Sequence, residues 1–259
     1  MLKQSSDWAS ILNWSVPQRQ LLNIQHPSLG DLFYCSPALP TDGQPVRGGV
    51  PVLFPQFAER GNLPKHGLVR QVSWQQDSPS RSSVTLEAMP SLGWHGTADL
   101  VLQVDNPTSD AMTLTLRVTN TGTTAFCFTG GLHPYFLVQD VQACQILGLQ
   151  NNAYQDRYAA QDCLSEAGWI SSTQAFERLY MQAPELILVD GQRRLSLSCR
   201  GFVEWMIWNC GQIGAQTLID LPDSDWQRFL CIEPVIASQP FILTPNAIFE
   251  GSLTIRDIG

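Results

Sequence analysis

What this chain lacks narrows its function before anything it contains does. No Cys-x-x-Cys pair occurs, which removes the zinc ribbon and the dithiol redox motif. There is no Gly-x-Gly-x-x-Gly or P-loop pattern to cradle a nucleotide phosphate, and no Gly-x-Ser-x-Gly nucleophile elbow. No stretch is long and apolar enough to span a bilayer. Residues Met1 to Trp14 mix Lys3, Ser5, Ser6 and Asp7 with Trp8, Ile11 and Leu12, so the unbroken apolar core of a signal peptide is missing. Positive charge is scarce: 15 Lys and Arg stand against 23 Asp and Glu, a net charge of -8. That balance gives no electrostatic reason to bind nucleic acid or an anionic membrane. A small anionic substrate stays open, because local arginines set the local field. Histidine is scarce too, with four in the whole chain.

The seven cysteines are an odd number, and most lie in apolar runs such as Ala125-Phe126-Cys127-Phe128, where a free thiol acts as a small hydrophobe. A reducing, cytoplasmic setting is expected.

Helical periodicity is nearly absent. Asp7 to Trp14 reads as one short amphipathic helix with Ser6 or Asp7 as its cap. From Leu21 onward, short apolar-polar alternations are punctuated by 19 glycines and 17 prolines, which argue against long helices. Met112, Leu114, Leu116 and Val118 alternate with Thr113, Thr115, Arg117 and Thr119, the period of a half-buried antiparallel strand, and Asn120-Thr121-Gly122 reads as the turn after it. Val84 to Glu87 and Leu100 to Val104 alternate likewise, the second ending at Asp105-Asn106-Pro107. Leu186 to Val189, Asp190-Gly191 and Arg194 to Ser198 read as a β-hairpin. Phe202 to Trp208, Phe229 to Ile232, Phe241 to Leu243 and Leu253 to Ile255 are further strands. Many short strands, no repeat and no linker predict one all-β domain over residues 1–259, an antiparallel sandwich or barrel with few short helices.

Arg47 to Arg70 is the stretch the rest is organised around. Gly48 and Gly49 allow close approach of backbone or ligand. Pro51, Pro55 and Pro64 forbid a helix. A rigid, irregular segment holding Arg47, His66 and Arg70 around a pocket is expected; a turn-rich loop with solvated arginines is the alternative. Arg47 and Arg70 offer forked donors for carboxylate or phosphate, and Lys65 adds a third cation. His26, before Pro27, reads as structural or solvated, and His95, in Gly93-Trp94-His95-Gly96, as a surface residue. His133, in Gly130-Gly131-Leu132-His133-Pro134-Tyr135-Phe136, sits among apolar neighbours and is either a hydrogen-bonded core histidine or a catalyst. Glu233, in Phe229-Leu230-Cys231-Ile232-Glu233-Pro234, stands at the expected end of an apolar strand. Burial there raises a carboxyl pKa and makes it a usable base near neutral pH, unless the side chain reaches solvent. Glu177 and Arg178 form an exposed ion pair on this reading.

Taken together, Arg47-Gly-Gly-Val-Pro-Val-Leu-Phe-Pro-Gln-Phe57, Leu63-Pro-Lys-His-Gly-Leu-Val-Arg70, Gly131-Leu-His-Pro-Tyr-Phe136 and Cys231-Ile-Glu-Pro234 resemble the aldose 1-epimerase superfamily, in its glucose-6-phosphate 1-epimerase branch. The resemblance implies a large antiparallel, galactose-mutarotase-like β-sandwich with no metal and no cofactor. It implies a monomer acting on a small sugar or sugar phosphate. It also implies roles: His133 as acid toward the ring oxygen, Glu233 as base at the anomeric hydroxyl, His66 as a second sugar-binding histidine, and Arg47 and Arg70 as holders of sugar and phosphate. Lys65 replaces a common glutamine, Glu177 a usual aspartate and Ala58 a common glycine. Two other classes stay in view: a sugar-binding sandwich without catalysis, and a metal-dependent site built from His66, His133 and Glu233.

Overall fold

The computed structural model describes residues 11–14, 21–38, 46–158, 163–164 and 173–259. Alternating patterns pair into two eight-stranded antiparallel sheets and one of three strands. In one eight-stranded sheet, Ala98–Thr108 and Ala111–Asn120 form a hairpin, and Ile248–Asp257 pairs with the far side of Ala111–Asn120. Met112, Leu114, Leu116 and Val118 are all buried, as the two-residue period requires. The other sheet runs Ala153–Asp156, Phe176–Tyr180, Glu204–Asn209, Phe229–Leu243 and Phe126–Leu132, with Val52–Leu53 at one edge and Cys163–Leu164 at the other. Leu100, Leu114, Leu197 and Ile255 of the first sheet share one core cluster with Trp205, Ile207, Leu230 and Ile232 of the second. This two-sheet packing is the predicted sandwich. Helix is confined, among the described residues, to Gly211–Ala215 and two 3-10 turns, Pro90–Leu92 and Asp225–Arg228.

Several expectations need correction. Ile11–Trp14 is a strand paired with Leu21–His26, where a helix was expected; the preceding part of that predicted helix lies outside the described residues. Phe229–Ile232 and Phe241–Leu243 belong to one fifteen-residue strand, Phe229–Leu243, with a register shift between Ile236 and Phe241. Ala98–Thr108 runs past Pro107, the register shifting after Asp105, so the proline sits at an irregularity where its missing N–H breaks no regular ladder. In the hairpin, Asp190 pairs with Arg193, so the loop residues are Gly191 and Gln192, with Gly191 at φ 62°. Asp190 turns inward, and its carboxylate accepts the Gln139 N–H. Cys127 is exposed rather than packed, because it faces outward from Phe126–Leu132. Asn120 is buried and does more than turn the chain: its Nδ2 donates to Leu243 O at 2.8 Å and its Oδ1 accepts from Gly122 N at 3.0 Å. His26 is buried, its Nδ1 accepting from the N–H groups of Ser28 and Leu29, and His95 is exposed.

Candidate active site

The segment from Phe54 to Arg70 is an irregular loop built around one buried side chain. Gln56 Nε2 donates to Ala58 O at 3.1 Å and Leu63 O at 2.9 Å, while its Oε1 accepts from Leu63 N at 2.9 Å. Phe57 N donates to Thr129 Oγ1 at 2.8 Å, tying the loop to the sheet. Ala58 and His66 close it reciprocally: His66 N donates to Ala58 O at 2.9 Å, and Ala58 N donates to His66 Nδ1 at 3.3 Å. Both lie in the left-handed region, at φ 48° and 65°, a conformation that costs a residue with a Cβ and is held only by surrounding structure. Gly67, at φ 76°, could carry no Cβ without striking the Phe54 carbonyl. Because Nδ1 of His66 accepts a bond, a neutral imidazole carries its proton on Nε2. Burial, and then the charges of Arg70, Lys65 and Arg47, lower the His66 pKa to about 3.

Glu233 and His133 meet by register. Tyr135 stands opposite Cys231, and Gly131 opposite Val235. Counting evenly between them puts His133 opposite Glu233 on the neighbouring chain segment, and directly opposed side chains share a face. His133 Nε2 lies 3.4 Å from Glu233 Oε1, with both side chains buried. Glu233 is thus interior to its strand, not at the end that Pro234 suggested. The ladder partner switches here from Tyr135–Leu137 to Phe126–Leu132, so the N–H that Pro234 lacks is not required. Gly130 and Gly131 precede His133 because a Cβ on either would strike the carbonyls of Leu53 or Pro234. His133 stacks on Tyr135 at 4.8 Å between ring centroids and meets the edge of Trp208 at 5.8 Å. Burial, then Glu177, push the Glu233 pKa well above the usual carboxylate range, with Arg70 opposing. Burial, then His66 and Arg70, push His133 well below the usual imidazole range. Glu233 Oε2, His133 Nδ1 and Arg70 Nε are buried without a hydrogen-bond partner among the described residues, an arrangement that favours a polar ligand able to supply partners.

All seven residues singled out in the sequence line one cavity of about 280 Å³: Arg47, Lys65, His66, Arg70, His133, Glu177 and Glu233. The expected Glu177–Arg178 pair does not form, because neighbours along a strand point to opposite faces. Glu177 instead binds Arg157 Nη1 at 3.0 Å, and Arg178 binds Asp156 at 3.0 Å. Lys65 is exposed and pairs with Glu59 at 3.6 Å. Sequence reasoning passed over four contributors. Asp220 holds Arg47 Nε at 2.7 Å; Gln56 staples the loop; Trp208 and Leu218 wall the cavity. Only Gln56, inside the quoted Pro-Gln-Phe motif, carried any signal. A second hollow adjoins the first through Ala58, Glu177 and Met206 and is lined by Glu59, Arg60, Gln155, Asp156 and Arg157.

The donor atoms close enough to share an ion, among the described residues, are those of His133, Cys231 and Glu233, within 4.8 Å of one another. His66 is outside that set, so the two-histidine, one-carboxylate arrangement does not assemble. It contacts His133 ring to ring at 5.6 Å instead.

The sequence is 27% identical over 246 residues to a protein of Cenchrus ciliaris named "Putative glucose-6-phosphate 1-epimerase", covering 88% of this chain and 75% of that one. A protein of the same name from Salmonella typhimurium is 22% identical over 209 residues, 76% of this chain and 70% of the relative. Among solved structures, a Salmonella typhimurium mutarotase-named protein, YeaD, superposes with a TM-score of 0.79 at 21% identity, over 95% of this chain and 86% of that one. The Slr1438 protein of Synechocystis gives 0.74 at 17% identity, over 98% and 93%. At such identities the structures establish the shared fold. The sequence model of aldose 1-epimerase matches residues 9–256, nearly the whole chain, and the protein therefore belongs to the aldose 1-epimerase family.

Proposed function

We propose that the protein is a mutarotase that interconverts the α and β anomers of a hexose 6-phosphate, with glucose 6-phosphate as the preferred substrate. The observation that carries this is the buried His133–Glu233 pair, 3.4 Å apart at one wall of a cavity that also holds two arginines. The cavity volume is near the lower end of small-ligand sites, about 300 Å³.

The chemistry needs two proton carriers addressing two oxygens on one carbon. Glu233 takes the proton of the anomeric hydroxyl, the C1–ring-oxygen bond breaks as the carbonyl forms, and His133 protonates the ring oxygen. Rotation about C1–C2 presents the other carbonyl face. On closure the ring hydroxyl attacks C1, His133 recovers its proton and Glu233 returns one to the new anomeric oxygen. Burial favours the neutral member of each couple, so in the free site the single shared proton rests on Glu233. Sugar hydroxyls donating to Glu233 stabilise its carboxylate and move that proton to His133, the arrangement the forward step requires. His66, neutral, donates from Nε2 to a sugar oxygen. Arg70 and Arg47 hold the phosphate and hydroxyl groups.

Relatives named for glucose 6-phosphate, and an unpaired buried guanidinium nitrogen at Arg70, support the phosphorylated substrate. The thiols of six cysteines, free in the described residues, support a reducing cytoplasm. Glu233→Gln keeps the shape and removes the base. Anomer-exchange NMR with glucose 6-phosphate, glucose and galactose should show turnover lowered by about 10²–10⁴-fold, the range of general base catalysis, with substrate still bound. Near-normal turnover in that variant ends the assignment.

A further inference from the structure

The two arginines of the cavity are not equivalent. Arg47 Nε donates to Asp220 Oδ1 at 2.7 Å in a partly buried ion pair. Arg70 forms no ion pair among the described residues, and its Nε is buried without an acceptor. Asp220 comes from the turn that follows Gly211–Ala215. The turn is closed by Leu221 N–H donating to Leu218 O at 3.1 Å and anchored by buried Leu221. It sets Leu218 on the cavity wall and Asp220 on Arg47, and leaves Ile219 97% exposed.

We propose that Asp220 is a specificity-determining residue: a built-in counter-charge that reserves Arg47 for neutral sugar hydroxyls and leaves Arg70 as the seat of the substrate's anionic group. This rests on the reading of the cavity as a sugar-phosphate site. A guanidinium has five N–H donors. Asp220 takes one and balances the charge, so the others still donate to hydroxyl oxygens, while an oxyanion approaching Arg47 meets the Asp220 carboxylate. At Arg70 the same oxyanion meets a cation that no carboxylate contacts directly and completes a buried donor's missing bond. The phosphate is therefore drawn to Arg70 rather than Arg47, which orients the pyranose relative to His133 and Glu233.

The test uses Asp220→Asn, which retains a side-chain oxygen for Arg47 Nε and removes the charge. Inorganic phosphate is the probe, titrated calorimetrically into the full chain, with KM for glucose measured alongside. Removing the carboxylate should tighten phosphate binding on the order of tenfold relative to the glucose KM, and the gain should shrink as salt rises. Asp220→Glu should return the phosphate affinity to that of the parent. Unchanged or weaker phosphate binding in Asp220→Asn, or equal losses for phosphate and glucose, makes Asp220 a mere brace for Arg47 and overturns the proposal. So does failure of that variant to fold while Asp220→Glu folds. If the parent shows no preference for glucose 6-phosphate over glucose, the sugar-phosphate reading falls. A tenfold gain in Asp220→Asn beside such a parent would locate the failure in that reading and not in Asp220 as the counter-charge of Arg47.

Discussion

Gln56 offers the sharpest test of how the site is held. Its side chain makes three good bonds to loop backbone: two donated to Ala58 O and Leu63 O and one accepted from Leu63 N. At about 1 kcal/mol net each, Gln56→Ala should cost roughly 3 kcal/mol. For chains of this size that corresponds to a melting point lower by about 2–4 °C for each kcal/mol lost. The loss should reach chemistry as well, since the loop fixes Ala58, and Ala58 fixes His66 through a reciprocal pair of bonds. A looser His66 should raise KM more than it lowers kcat. Gln56→Glu adds a signature of pH. Its oxygens can accept from Leu63 N, but ionised they face the carbonyls of Ala58 and Leu63, so the folded-state pKa rises above the unfolded value near about 4.3. Stability should be greatest below that unfolded pKa and fall as pH rises through the folded one. Urea titrations of both variants at pH 5 and pH 8 decide the matter. A loss under about 1 kcal/mol for Gln56→Ala, or a Gln56→Glu protein more stable at pH 8, would refute the staple.

Ala58→Gly should raise stability by up to about 1 kcal/mol, because φ 48° suits a residue without Cβ, the strain relieved exceeding the added chain entropy; a lower melting point would contradict this. Glu177→Gln should move the alkaline limb of the kcat/KM profile to lower pH. That limb reports loss of the pair's last proton, which Glu233 holds with a pKa raised first by burial and second by the Glu177 charge. An unmoved limb in the pH–rate series would mean that Arg157, 3.0 Å from Glu177, already neutralises it.

The sequence reads well where a period or a motif is local. Met112 to Val118 announces its buried face, and the six polar residues picked from four motifs, with Glu177 from outside them, do converge on one cavity. It reads poorly where a partner is distant. Asp220 is 173 positions from Arg47 and sits between Ile219 and Leu221 with no motif around it. Arg157 reaches Glu177 only because Ala153–Asp156 lies beside Phe176–Tyr180. Pro234 misled for a different reason. A proline ordinarily ends a central strand, but here the adjoining edge changes hands beside it, and that gap could be seen only once the pairing was known. Ala58 is a local matter by contrast: its backbone angle, φ 48°, is one that a residue with a Cβ adopts at a cost.

The His133–Glu233 spacing is in this sense a property of sheet register rather than of either motif. Met206 pairs with Glu233 on one side, and the two registers flanking His133 fix the other. A slip of one residue would turn Glu233 toward the face that carries Ile232 and Leu230 in the main core, and would bring Ile232 to the cavity. The apolar residues alternating with Glu233 therefore do two things at once. Leu230 and Ile232 anchor the strand in the core, where burying each is worth about 1.5–3 kcal/mol, and in doing so they hold a carboxyl that burial alone disfavours within reach of an imidazole. The close approach of Gly131 to Pro234 and Val235 adds a steric constraint, since any side chain there would push the two segments apart. Core packing on one face of the sheet thus sets the distance between imidazole and carboxyl on the other, which is why residues a hundred positions apart stand as one pair.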